Sequence, residues 1–348
     1  MRNLNKLVLS AVIVLAVLGL YLILASQKDQ GPSRQVKNVV LIGWDGTQRD
    51  DLKTLFDQGR LPNLKNLISE GKLVDIDIKS GRTETKPVWA EILTGYKSQT
   101  LGVINNANYQ PIPKGLTIFE RLKEAFGKNN MATVFIAGKL NNLAARGPHK
   151  ICTNCLTRDP QTFKKTLWWD EKTEAPTKIA GQTKVFEQRS GEPYYYTKDA
   201  LDVYLIGLNE AENVGQKALE VLDQYQDRPY LMFIHFEEPD EIGHLYGENS
   251  SEYAQSIIVN DQWLGRIVDK LKTLKSYDKT IIYVTTDHGF DKNQKTHSNA
   301  PDTWLVSNNP GLKINGTRLD IAPTILATFG LNLNQISPPL DGRSLLGD

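Results

Sequence analysis

The stretch YLMFIHFEEPDEIGHLYG, residues 230–247, decides how this chain is read. Its first part is a continuous apolar run, the pattern of a strand buried on both faces of a parallel sheet. Its second part sets three Glu, one Asp and two His within the ten residues from His235 to His244. Carboxylates and imidazoles crowded at a strand end repel one another unless positive charge sits among them. One reading is a solvated acidic turn. The other is a cation site, with Asp240 and His244 as ligands.

The same grammar recurs elsewhere. NVVLIGWDG (38–46) runs apolar and ends at Asp45, and TIIYVTTDHG (280–289) ends at Asp287 and His288. MATVFIAG (131–138) and TWLVSN (303–308) read as further strands, and KLVDIDIK (72–79) alternates like a strand with one wet face. Helical patterns stand between them: LPNLKNLISEG (61–71), KPVWAEILTG (86–95), TIFERLKEAFG (117–127), residues 209–225, residues 250–274 and LDIAPTILATFG (319–330). Alternating strands and helices predict an α/β fold, a mostly parallel sheet sandwiched between helices. Ligands of such sheets gather at the carboxyl ends of strands, where these acids and histidines fall.

Composition narrows the class. The 348 residues carry a net charge of +1, which makes no case for a nucleic-acid polymer as partner. Leu7–Ala25 is an uncharged apolar run of 19 residues, preceded by Arg2 and Lys6. As a helix it reaches about 28 Å, close to a bilayer's hydrocarbon thickness. The expected organisation is a cytoplasmic N-terminus (1–6), a transmembrane signal anchor (7–25), a linker (26–36) and an extracytoplasmic domain (37–348). Cleavage of the apolar segment would instead give a secreted protein. Residues 146–203 are poor in aliphatics and carry LWWD and PYYYT, the composition of a cap insertion. The two cysteines, Cys152 and Cys155, read as a local disulfide, since a zinc ribbon needs a second pair.

His244, His288 and His297 join Asp45, Asp240 and Asp287 in strand-end or loop contexts. Three carboxylates with three imidazoles suit two zinc-like ions with open positions, whereas calcium or magnesium favours oxygen-only shells. Singly, each has a plainer reading as a helix cap or a solvated loop residue. His235 lies inside its strand and suits a hydrogen-bonded core role or support of a ligand. Thr85 stands just before the helix that Pro87 helps start, where the helix dipole favours an anion. Its hydroxyl becomes a nucleophile when a metal or base lowers its pKa. An ordinary cap is the alternative, and Thr83 is the competing hydroxyl.

Together LIGWDGTQRDDL (41–52), TKPVWAEILTG (85–95), EEPDEIGHLYG (237–247), TTDHGF (285–290), THSNAP (296–301) and the ending LDGRSLL (340–346) resemble the alkaline phosphatase superfamily. Within it they resemble the type I phosphodiesterase/nucleotide pyrophosphatase family, over about residues 37–348. The resemblance implies one zinc on Asp45, Asp287, His288 and the Thr85 oxygen, and a second on Asp240, His244 and His297. Another divalent transition metal would suit the same donors. It implies Asn106, with Asn105 as fallback, on a phosphate oxygen. AGKLNN (137–142) is similar to a stretch in which superfamily phosphatases and phosphonate hydrolases use a substrate-binding Lys, here Lys139. The implied reaction is hydrolysis of a phosphate diester, on a small-molecule or lipid phosphate ester, through a Thr85 phosphoenzyme. Lys86 and Val88–Trp89 depart from the aromatic and Asn-His of nucleotide-cleaving members. A phosphomonoesterase, a sulfatase, a phosphoethanolamine-type transferase and a catalytically silent binding module are the rival readings.

Overall fold

The computed structural model describes residues 38–77, 82–152, 156–158, 165–167, 178–179, 182–183, 186–300 and 302–347. The apolar run 7–25 and the side chains of Cys152, Cys155, Trp168 and Trp169 lie outside them, and so do the readings placed there. Among the described residues no helix is long and apolar enough to cross a membrane.

Eight strands form one sheet. In chain order they are β1 (Asn38–Trp44), β2 (Lys72–Asp77), β3 (Ala132–Ala137), β4 (Val203–Leu205), β5 (Tyr230–Phe236), β6 (Thr280–Thr285), β7 (Asp302–Ser307) and β8 (Gly316–Thr317). Their spatial order is β4-β3-β5-β1-β6-β7-β2-β8. The five strands from β4 to β6 are parallel, and β7 runs antiparallel to both neighbours. β1 pairs with β5 on one side (Gly43 opposite His235) and with β6 on the other (Gly43 opposite Thr285). The strands that end in Asp45, in the 237–244 cluster and in Asp287–His288 are therefore adjacent.

Both faces are covered, which is why β1, β3 and β5 are apolar at nearly every position. Val40, Ile42, Trp44, Met232, Ile234 and Phe236 share one core with helices α1 (Arg49–Asp57), α2 (Pro62–Glu70), α5 (Ala211–Gln224) and α7 (Ser251–Thr273). Alternate positions face the other layer, which includes α3 (Thr85–Ile92), α4 (Ile118–Phe126) and α8 (Ile321–Thr328). There Trp89 packs on Phe233 (ring centroids 5.1 Å) and Phe119 on Phe135 (5.8 Å). Each buried Leu, Ile, Val or Phe side chain contributes about 1.5–3 kcal/mol relative to exposure.

Three sequence expectations need correction, and one helix had none. EEPDEIGHLY is no loop: Glu238–Tyr246 forms a helix, α6, with Pro239 in its first turn. Thr85 is the first residue within α3 rather than the one before it, and Glu84 holds the cap position. The cap composition stretches to residue 203, yet Tyr194 is fully buried against Phe135 (5.2 Å) and Val203–Leu205 is an edge strand of the main sheet. Helix α1 carries no signal singled out in the sequence. The described parts of the insertion pair locally as short antiparallel ribbons, His149–Cys152 with Phe186–Arg189 among them.

Gly43 shows how tightly the two layers meet. A Cβ there would lie 2.4 Å from Cη2 of Trp89. Gly43→Ala is expected to cost about 1–3 kcal/mol by overpacking, read as a lower urea midpoint at unchanged m-value.

Candidate metal centre

Neighbouring strands deliver the site. Asp45 follows β1, Lys139 follows β3, Asp240 lies in α6 after β5, and Asp287 and His288 follow β6. In α6 the spacing of four places Asp240 and His244 on one face, Oδ1 to Nε2 3.4 Å. The chain turns after β1 at Gly46 (φ +70°), where a Cβ would strike the Asp240 backbone at 2.7 Å. That close approach brings the β1 and β5 ends together, and the left-handed φ suits Gly.

Two donor clusters result. Asp45, Asp287 and His288 form one, and Asp240, His244 and His297 the other; within each, the potential ligand atoms lie within 4.8 Å of one another. His288 Nε2 is 3.4 Å from Asp287 Oδ2, 3.7 Å from Asp45 Oδ1 and 3.9 Å from Asp240 Oδ1. The rings of His288 and His297 stack with centroids 3.9 Å apart, so the clusters adjoin.

The first cluster is the more rigidly held. Asp45, Asp287 and His288 are all fully buried. Asp287 Oδ1 accepts from the backbone N–H of Gly46 (3.1 Å) and of His288 (3.0 Å). His288 Nδ1 contacts the Gly289 carbonyl oxygen at 3.0 Å, which turns Nε2 toward the acids. Asp45 Oδ2 takes His235 Nε2 at 2.7 Å and the indole N–H of Trp89 at 3.4 Å, leaving Oδ1 to face the site. His235 thus holds Asp45, a candidate ligand, from inside its strand. Trp89, noted only as a departure from the family pattern, holds the same candidate ligand. In the second cluster Asp240 is buried, while the His297 and His244 side chains are 15% and 41% exposed.

Charge balance bears on what the clusters fit. Three buried carboxylates face one ammonium, Lys139, whose Nζ lies 3.0 Å from Asp45 Oδ1 and 2.5 Å from Asp240 Oδ2. Burial pushes the Asp45 carboxyl up, but Lys139 and the His235 hydrogen bond outweigh it and hold it at about 2. Asp240 is likewise held well below the usual range, against its burial, by Lys139 and the three histidines. Asp287 is pushed up to about 6 by burial and by the Asp45 charge. Burial and the nearby His288 push His297 down to about 3, which keeps its ring neutral and able to donate a lone pair. Asp240 Oδ1, Asp287 Oδ2 and His288 Nε2 are buried without a hydrogen-bond partner, and all three belong to the clusters. Unsatisfied buried acceptors among excess negative charge, with imidazoles between them, fit divalent metal ions.

The remaining expected residues fall around the clusters. Thr85 is 2% exposed, and its Oγ1 is 3.4 Å from Lys139 Nζ, so one ammonium bridges Thr85 and both clusters. Lys139 itself is buried. Thr83 spends its hydroxyl on the His297 carbonyl oxygen and thereby holds the His297 loop. Asn105 closes a local turn, accepting from Ala107 N–H. Asn106 Oδ1 accepts from the Lys86 backbone N–H at 2.9 Å, which leaves its amide N–H groups as the end available to an oxygen ligand. With Lys86 N–H so engaged and Pro87 lacking one, the α3 terminus offers fewer donors to an anion than its place in the sequence suggests.

A model of the family described as type I phosphodiesterase/nucleotide pyrophosphatase matches residues 39–334. The chain belongs to this family. Phosphodiesterase/nucleotide pyrophosphatase membership accords with the motif set around Asp45, Thr85, Asp240, Asp287 and His297. Among curated relatives, mouse bis(5'-adenosyl)-triphosphatase enpp4 is 22% identical over 312 residues, covering 89% of this chain and 58% of its own length. Human ectonucleotide pyrophosphatase/phosphodiesterase family member 1 is 32% identical over 95 residues, 26% of this chain and 10% of its own. This family member thus spans little more than half of the curated mouse relative. A solved protein of the alkaline phosphatase superfamily from Vibrio parahaemolyticus shares the fold at a TM-score of 0.54 and 17% identity, covering 89% of this chain and 69% of its own. A structure solved with its substrate D-glucosamine-2-N,6-O-disulfate shares it at 0.54 and 14%, covering 89% and 79%.

Proposed function

We propose that the chain is a metal-dependent hydrolase of phosphate diesters that works through a phosphorylated Thr85. The observation that carries this reading is one buried cation, Lys139, set between a buried threonine hydroxyl and the carboxylates of two donor clusters. Asp45, Asp287 and His288, with the Thr85 oxygen, would hold one zinc ion, and Asp240, His244 and His297 the other. Bound there, such ions supply Lewis acidity to the phosphoryl oxygens and to the nucleophile. The chain's own residues do the rest. Thr85 Oγ1 forms the new bond to phosphorus as the first alcohol leaves. Water then breaks the Thr85–phosphoryl bond and releases the monoester. Asn106 donates from its amide to an equatorial oxygen, and Lys139 places a fixed positive charge beside the reacting oxygen. The 19-residue apolar run supports a membrane anchor at Leu7–Ala25 with the catalytic domain extracytoplasmic.

The same lysine favours a second reading. A phosphate monoester brings one more negative charge than a diester, and Lys139 is a buried cation placed to meet it. The relatives' printed activities include triphosphate and nucleotide cleavage, and a small nucleotide-type ester stands with lipid esters as the proposed substrate class. The test uses the purified chain, stripped by chelator and resupplied with zinc, on bis-p-nitrophenyl phosphate, p-nitrophenyl phosphate and p-nitrophenyl sulfate. Zinc-dependent preference for the diester is expected. Preference for the monoester selects the second reading, preference for the sulfate moves the protein to the sulfatases, and bound zinc without turnover makes it a binding module.

A further inference from the structure

The residue after Thr85 is committed to a network that the reaction does not explain. Lys86 is 4% exposed, and its Nζ donates to Glu192 Oε2 at 2.8 Å and to the Asn141 carbonyl oxygen at 2.6 Å. It also lies over the Tyr109 ring, 4.2 Å from the centroid. Glu192 is equally buried and gathers partners from several segments. Tyr109 Oη donates to its Oε1 at 3.2 Å, with His149 Nε2 at 3.5 Å and Arg146 Nη2 at 3.8 Å from the same oxygen. Its own N–H donates to the Arg146 carbonyl oxygen at 2.7 Å.

These partners span the region of low-aliphatic composition. Arg146 and His149 stand at its beginning, Glu192 near its end, and Asn141 two residues beyond Lys139. Lys86 links the group to the reacting centre through its place beside Thr85 and through its backbone N–H on Asn106 Oδ1. An ammonium and a carboxylate buried together are held by each other, because either one alone would face its full desolvation cost. The backbone at Thr85–Lys86 is thereby tied to a carboxylate 106 residues away.

We propose that Lys86 and Glu192 are positioning residues: their ion pair fixes the backbone that presents Thr85 and the amide of Asn106, and makes that geometry depend on the contacts that Arg146, His149 and Tyr109 make with Glu192. This rests on the phosphoryl-transfer reading, and its test includes a readout independent of turnover. In the full-length zinc-loaded chain, Glu192→Gln keeps the shape and removes the charge. It is expected to lower kcat on bis-p-nitrophenyl phosphate by about 10–100-fold, the scale of a small misplacement of reacting groups, with KM changed less than about threefold. Zinc content is expected to stay at the wild-type value. Amide hydrogen exchange over residues 98–110, which contain Asn106, is expected to accelerate while the β1 and β5 peptides stay protected. Lys86→Arg, which keeps a cation, is expected to retain more activity than Lys86→Met and stands in if Glu192→Gln does not fold. Unchanged kcat and unchanged exchange over 98–110, with only a lower unfolding temperature, would overturn the proposal and leave the pair structural. If the wild-type chain turns over none of the three esters, the functional reading fails, and the exchange result still decides whether the pair fixes Asn106.

Discussion

Thr85→Ala is expected to lower kcat for diester hydrolysis by about 10⁴-fold or more while the protein stays folded and keeps its metal. The size follows from what is removed: a reaction that forms a covalent intermediate loses its first step with its nucleophile, and what remains is binding and electrostatic stabilisation of direct attack by water. The structure gives the variant a mild cost otherwise. Thr85 is 2% exposed at the first position of α3, where Ala is a good helix former, and the change deletes one hydroxyl and one methyl. Asp45, Asp287 and His288 remain as donors, and each is fixed by contacts that do not involve Thr85. Thr85→Ser restores a hydroxyl on the same backbone and is expected to recover activity to within about 100-fold of wild type. Kinetics on the diester, with elemental analysis of the same preparations, provide the check. Wild-type turnover in Thr85→Ala would remove Thr85 from the mechanism, whereas loss of turnover together with loss of zinc would make it a ligand whose role as nucleophile is unproven.

The sequence was most legible where a strand is buried on both faces. β1 and β5 read as unbroken apolar runs because helices cover both sides, and the acids at their ends then stood out as out of place. The three strand ends lie side by side because β1 pairs with both β5 and β6, an arrangement that single-strand patterns do not encode. Helix α6 was misread because two Glu, Pro and Gly in a nine-residue segment weaken its periodicity. The spacing of four between Asp240 and His244 was the available signal. His235 and Trp89 were invisible as a pair: their shared grip on Asp45 Oδ2 depends on α3 crossing the β1–β5 junction, which tertiary packing alone sets. The Lys86–Glu192 pair is less legible still. A lysine and a glutamate separated by 106 positions are, on composition, two surface residues, and only the fold buries them together.

Chelation is expected to strip the two proposed metal sites in sequence, the Asp240–His244–His297 site first. The argument is one of rigidity and access. Every donor of the Asp45 cluster is fully buried, and its three side chains are held by the Gly46 and His288 N–H groups, the Gly289 carbonyl, His235 and Trp89. Such outer contacts typically change metal affinity by 10–100-fold. The other cluster has one buried donor, Asp240. The His244 side chain is 41% exposed; its Nδ1 contacts the Lys295 carbonyl oxygen at 2.7 Å and its ring packs beside Phe290 and His297, in a loop that Asp291 ties down through the Ser298 and Asn299 N–H groups. A chelator reaches that site from solvent and opens it by moving one imidazole. Metal release followed with a colorimetric chelator is therefore expected to be biphasic, one equivalent leaving at least about tenfold faster than the other. Turnover should fall with the fast phase, since the proposed displacement at phosphorus would draw on both sites, and should return when zinc is restored. His244→Ala is expected to abolish the fast phase and leave one slowly released equivalent. Both equivalents leaving in a single phase would show that the buried contacts around Asp45 confer no kinetic advantage, and a total of one equivalent in the wild-type chain would contradict the pair of sites itself.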